Sequence, residues 1–191
     1  MPEISAIAAD FASSSDKRAE KAARDLAATG SQNLEAYTRL LNDRRVDVRW
    51  WSVRSLAEID SPVVIPLLIH TLDDADISVR QCAALALQRQ PDSRAIPPLI
   101  LLLNSSDQLL GRLAGDALIA AGSDAVPALL ELLGDSCPKA RIEAMRALAL
   151  IGDTRAIPEM FEALDGDSAL VEHWAGEGLE KMGVGMVFYA P

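Results

Sequence analysis

The 191 residues predict an all-α chain, a right-handed α-α superhelix of about six helix pairs, and three observations carry that expectation. The segment Ala95-Ile96-Pro97-Pro98-Leu99-Ile100 is echoed at 64–69, 125–130 and 156–161, with prolines at 66, 97, 127 and 158, in steps of 31, 30 and 31. A fixed period of that length marks a repeat architecture, in which each unit buries its apolar face on the next. Half of the residues are hydrophobic but only 4% are aromatic, and Leu and Ala, which lose little side-chain freedom in a helix, dominate the apolar set. Finally, turn-forming Asn, Asp, Ser and Gly recur at the same point of each period, and Gly122, Gly152 and Gly183 recur at its end.

Taken in order, residues 1–30 read as an N-terminal capping pair within a single solenoid. Its first helix runs from Pro2 to about Phe11, and Ser13-Ser14-Ser15-Asp16 is the turn. The polar second helix has Ala22 and Leu26 at core spacing and stops at Gly30. Five repeats of 30–31 residues then fill 31–183. The first helix of each carries Leu34, Ile65, Ile96, Val126 or Ile157 just before the proline position. Tyr37, Leu68, Leu99, Leu129 or Met160 follows, and then Leu41, Leu72, Leu103, Leu133 or Leu164, one apolar stripe over three turns. Proline suits the first helical turn, where its missing N–H is not required. Asn42-Asp43, Asp73-Asp74, Asn104-Ser105, Gly134-Asp135 and Asp165-Gly166 supply turn and cap chemistry. The second helices open on Val48-Arg49, Val79-Arg80, Leu110-Gly111, Ala140-Arg141 and Val171-Glu172. Each then bears a small residue (Ser52, Ala83, Ala114, Ala144, Ala175) and a leucine (Leu56, Leu87, Leu118, Leu148, Leu179). Residues 184–191 form an apolar tail with Met186, Val187, Phe188 and Tyr189, expected to fold over the last helix pair.

The second-helix pattern Asp-x-x-Val-Arg-x-x-Ala-x-x-x-Leu, seen best from Asp76 to Leu87, resembles the HEAT repeat, specifically the short type of phycobilisome bilin lyases. The resemblance covers about 15–183 and implies a HEAT/armadillo-like solenoid whose second helices line the concave surface. In the family the Arg after Val pairs with an Asp of the neighbouring unit. Gly111 and Glu172 replace that Arg here.

With the small and leucine positions turned inward, the positions one, two and five residues after the Arg position face outward. They are Trp50, Trp51, Arg54; Gln81, Cys82, Leu85; Arg112, Leu113, Asp116; Ile142, Glu143, Arg146; and His173, Trp174, Glu177. All three tryptophans fall in this set. Trp and Arg are the side chains most enriched at binding hot spots. The expected site for a protein partner is therefore Trp50, Trp51, Arg54, Gln81, Leu85, Arg112, Asp116, Glu143, Arg146, His173, Trp174 and Glu177. The competing reading buries one or more of the indoles in the core; Trp50 and Trp51, about 100° apart on a helix, cannot both face it.

The two histidines, His70 and His173, lie on different faces a hundred residues apart, and the two cysteines form no CxxC, so neither metal nor cofactor is expected. No nucleophile elbow, P-loop or GxGxxG occurs. A net charge of −10 repels phosphate backbones. No signal peptide or membrane-length apolar run is evident, which points to a cytoplasmic protein, and a monomer is expected. Two further readings follow from the resemblance. One is a bilin lyase-like or chaperone subunit, with a tetrapyrrole received among tryptophans and arginines. The other is a HEAT-like DNA glycosylase with Asp116 as its acid.

Overall fold

The computed structural model describes residues 4–134 and 137–184, with only the backbone of Ser31. Among these, all regular structure is helical: twelve α-helices and four short 3₁₀ turns. The helices fall into two compact units, Met1–Asp92 and Ser93–Pro191. The first holds the pairs α1 (Ile4–Phe11) and α2 (Asp16–Ala27), α3 (Leu34–Leu41) and α4 (Val46–Leu56), and α5 (Ile65–Thr71) and α6 (Ile77–Arg89). The second holds α7 (Ile96–Leu102) and α8 (Gln108–Ala121), α9 (Val126–Leu133) and α10 (Pro138–Ile151), and α11 (Ile157–Ala163) and α12 (Ala169–Lys181). In the first unit α4 lies between α2 and α6; in the second, α10 lies between α8 and α12. Each even-numbered helix also packs on the odd-numbered helix before it.

The periodic positions explain this layering. Ser52, Ala83, Ala114, Ala144 and Ala175 are fully buried, and so, within 2%, are Leu56, Leu87, Leu118, Leu148 and Leu179. Small residues at that place let neighbouring even-numbered helices approach closely. Pro66, Pro97, Pro127 and Pro158 stand in the first turn of α5, α7, α9 and α11. A 3₁₀ turn precedes α3, α7, α9 and α11, a tightening the periodic pattern does not reveal. Gly30, Gly122, Gly152 and Gly183 all have φ between 63° and 75°, the left-handed region that only glycine enters without a steric cost. Asp76 and Asp107 cap α6 and α8 by accepting from the N–H of Ser78 (2.9 Å) and Leu110 (2.7 Å).

Three expectations need correction or lie elsewhere. In α2 the buried set is Ala19, Ala23 and Leu26, so Ala23, not Ala22, is the core alanine. The reason is local: the carbonyl of Ala23 accepts the hydroxyl of Ser55 (2.8 Å), which fixes α2 against α4 one residue further on. Leu164 is 41% exposed rather than buried, because no described helix follows α12 to cover that end of α11. Residues 185–191, the apolar tail, lie outside the described residues.

Two polar devices join helices in the interior. Tyr37 and Ser55 share a hydrogen bond of 2.6 Å, so the Tyr37–Ser55–Ala23 chain ties α3, α4 and α2. Burial pushes the Tyr37 phenol up to about 12 despite the opposing pull of Ser55. The arginine ladder is the second. Arg49 on α4 donates twice to the Asp74 carboxylate (2.7 and 2.9 Å) and once to the Asp43 carbonyl (3.0 Å), joining its own turn to the next. Arg80 repeats the carbonyl contacts on Asp74 and Ala75, and Arg141 pairs with Asp167. At Gly111 the rung is absent. A Cβ there would sit 3.6 Å from the Leu103 carbonyl, an ordinary contact, so the buried glycine marks a lost rung rather than a forced close approach.

Candidate functional site on the even-numbered helices

The proposed contact residues are distributed over both units, and each unit is described separately. On α4, Trp50 and Trp51 are both half-buried. Consecutive helical residues point about 100° apart, and the indoles meet edge to face, with centroids 4.9 Å apart at 87°. One turn on, Arg54 pairs with Glu58, and Arg89 from α6 reaches the same Oε1 at 3.3 Å. The hydrogen bond from Arg54 holds the Glu58 carboxyl below its usual range, outweighing what little burial there is, and Arg89 adds to it, so Glu58 is ionised at neutral pH. Gln81 is half-buried and Leu85 is 47% exposed. Cys82, expected to face outward, is buried instead: α6 packs on α4 there, and burial pushes its thiol up to about 11 against the pull of Arg54. It is a core thiol, not a nucleophile.

In the second unit Arg112 is exposed on α8 and lies 3.7 Å from Asp116. Arg146, also expected outside, is 1% exposed. Its guanidinium bonds Asp116 Oδ1 (2.8 Å) and Glu143 Oε2 (2.7 Å) and approaches the Arg112 carbonyl (3.4 Å). Gly115 makes this possible: a Cβ on it would lie 2.7 Å from Arg146 Nη2, so the missing side chain is the hollow that the guanidinium fills. A glycine inside a helix costs about 1 kcal/mol, and that cost was the available hint of a close approach at this point. Asp116 and Glu143 remain half-buried and are engaged by Arg146. The acid that a glycosylase would need is thus held in an ion pair. On α12, His173 is exposed, Trp174 is half-buried with its ring centroid 5.3 Å from that of His173, and Glu177 is exposed. All three indoles are therefore partly solvent-facing, and of the twelve residues named from the sequence only Arg146 is buried.

Other chemistry is sparse. No group of three or more His, Cys, Asp or Glu side chains gathers at metal-binding distance among the described residues. His70 is exposed on α5 beside a cavity of about 310 Å³ lined by Asp43, Arg49, Asp73 and Asp74 of the ladder. No single described helix is long and apolar enough to cross a membrane.

Comparison with known proteins places the chain. A model of HEAT repeats matches residues 4–88, 34–119 and 96–180. A phycobilisome maturation protein of Synechococcus elongatus is 38% identical over 102 residues, which is 53% of this chain and 48% of that protein. A phycocyanobilin lyase subunit beta of Pseudanabaena tenuis is 38% identical over 122 residues, 60% of this chain and 42% of that one. The chain thus spans about half the length of the curated relatives it matches. Among solved structures, the complex of CpcE and CpcF of phycocyanin lyase from a Nostoc species aligns over 96% of this chain and 78% of that one, with a TM-score of 0.55 at 22% identity. A designed armadillo repeat protein aligns over 94% of this chain and all of that one, with a TM-score of 0.51 at 19% identity. At such identities these structures speak for the fold alone, an all-α solenoid of the HEAT/armadillo class. Period, pairing of helices, arginine rungs and matches agree: the chain belongs to the HEAT-repeat family.

Proposed function

We propose that this chain is a bilin lyase-like or chaperone subunit acting in phycobiliprotein maturation, and that it works by holding a protein partner on its even-numbered helices. The observation that carries the reading is the 34–38% identity to two lyase beta subunits and a maturation protein. The residue types support it: the first unit bears partly exposed indoles at Trp50 and Trp51 with Arg54 one turn on, and the second bears Trp174 and an exposed Arg112, the side chains that dominate binding energy. Such a face is preformed, so little ordering is lost on binding. In this proposal the even-numbered helices line the concave side of the solenoid, one copy of the chain acts in the cytoplasm, and it binds an apo-phycobiliprotein or a second lyase subunit.

The test is capture of purified apo-phycocyanin, and separately of a CpcE-type lyase subunit, by the immobilised chain. Micromolar or tighter capture of one of them is expected, with Trp51→Ala and Trp174→Ala each weakening it at least tenfold while helical circular dichroism is unchanged. Failure to hold either protein overturns the reading.

A further inference from the structure

We infer that the cleft between α7 and α9, in the second unit, docks an amphipathic helix of a protein partner whose apolar row is flanked by lysine or arginine. The cleft lies on odd-numbered helices, so the inference goes beyond the reading above and does not depend on it. In each of the five repeats, the residue five places after the start of the first helix is exposed: Arg39, His70, Leu101, Glu131 and Glu162. Polar side chains suit such a position, but Leu101 stands there with 77% of its surface open. Its helix, Ile96–Leu102, bears no polar side chain at all. Burial accounts for Ile96 and Leu99, whereas Pro97 and Leu101, one turn apart on the same side of α7, face solvent. A lone exposed leucine would need no explanation. This one borders a cleft of about 670 Å³, in which Pro97 and Ile100 face Ala128 and Leu132 of α9, with Glu131 as its charged lining residue. An open apolar surface of that kind marks a site of interaction.

The charge beside the cleft selects the occupant. On the other flank of α9 a second cavity, of about 460 Å³, is lined by Glu159, Glu162, Asp165 and Asp167. Arg141 also lines it but is already paired with Asp167. Glu131, Glu159, Glu162 and Asp165 have no ion-pair partner among the described residues, and a buried oxygen of Glu159 accepts no hydrogen bond. Packed helices lie about 8–10 Å apart, and a helix with its side chains is about 10–12 Å across. A helix laid along the α7–α9 cleft therefore carries one of its flanks over the carboxylates of α9 and α11. Apolar side chains fill the cleft, and lysine or arginine on that flank meets the acids, as in other helix-in-groove contacts. An acidic helix is turned away by the same row.

The experiment follows fluorescence anisotropy of a labelled model peptide of about 18 residues, leucine at helical spacing with lysine alongside, as the full chain is added. A second peptide replaces every lysine with glutamate. The lysine peptide is expected to bind at least tenfold more tightly than the glutamate peptide. Leu101→Ser should weaken it at least fivefold at low and high salt alike, with helical circular dichroism unchanged. Glu162→Gln should weaken it severalfold at low salt, with the loss shrinking as salt rises. Glu20→Gln, which removes an exposed acid from α2 in the first unit, should leave binding as it was. Indifference to Leu101→Ser, or an equal loss from Glu20→Gln and Glu162→Gln, means diffuse charge attraction and overturns the inference. So does binding to phosphatidylcholine vesicles, or self-association in sedimentation, that Leu101→Ser abolishes, since lipid or a second copy would then be the occupant.

Discussion

Gly176 and Gly178 sit two residues apart on the same helix, yet they answer to opposite physics. A Cβ on Gly178 would meet Met160 Sδ at 2.8 Å and the Ala149 Cα at 3.0 Å, and the latter is backbone that cannot swing away. A Cβ on Gly176 would meet nothing within 4 Å. Alanine should therefore stabilise at 176 by up to about 1 kcal/mol, through helix propensity alone. At 178 overpacking outweighs the same gain and leaves a net loss of about 1–2 kcal/mol. Urea unfolding of the two variants checks both signs. Arg146 gives a third residue-scale expectation. Arg146→Ala should cost about 2–3 kcal/mol, because it leaves Asp116 and Glu143 facing each other without their cation, while Arg146→Met should recover part of that loss by filling the hollow at Gly115. The burial of Arg146 was the least legible feature of the candidate site. Its position repeats that of Arg54 and Leu85, which are open, and only the glycine across the helix interface sets it apart. Cys82 was hidden for a similar reason, since periodicity gives the direction of a side chain but not the depth of the neighbour it meets.

At the scale of the element, the helices were readable because one constraint recurs five times. Proline in the first turn, a small residue at the close approach and a glycine at the stop each have a local physical cause, so a single chain suffices to see them. The degenerate first pair shows where this fails: without the Val-Arg pair that sets the register elsewhere, Ala22 was taken for the core alanine in place of Ala23, although Leu26 is buried as expected. The 3₁₀ turns were likewise invisible, since they carry no apolar period of their own. The ladder itself is testable. Asp74 accepts two bonds from Arg49 across a turn, in a pair only 13% and 9% exposed. Asp74→Asn removes the charge but keeps the shape, and should cost about 1.5–3 kcal/mol in thermal or urea unfolding. Asp73→Asn, beside it and with an exposed side chain, should change stability by less than about 0.5 kcal/mol.

For the whole molecule, the shifted groups bound a stability plateau in pH. The Asp43 carboxyl is lowered to about 2, chiefly by its bond with Arg45; Asp74 also lies below its ordinary value, since burial, which acts upward, is outweighed by Arg49 and the backbone of Asp76. Groups of this kind lend stability above the unfolded value near 4, and that stability is lost as pH falls from there toward 2. On the alkaline side Tyr37 and Cys82 are raised by burial, to about 12 and about 11. Their neutral forms are favoured in the folded chain, so stability holds below pH 9 and declines as pH rises through 9–12. Unfolding free energies measured from pH 2 to 12 should be flat between about 4 and 9 and fall on both sides. A continued rise below pH 4 would contradict the acid limb.

The ladder has a kinetic consequence as well. Side-chain hydrogen bonds between successive helix pairs span from 25 residues, as in Arg49–Asp74, to 34, as in Arg146 to the Arg112 carbonyl. Ties of this reach need no distant part of the chain, so the entropy of their loop closure stays small and contact order stays low. Folding can then begin wherever two successive pairs first meet, and a nascent chain can secure each pair soon after the next one has emerged from the ribosome.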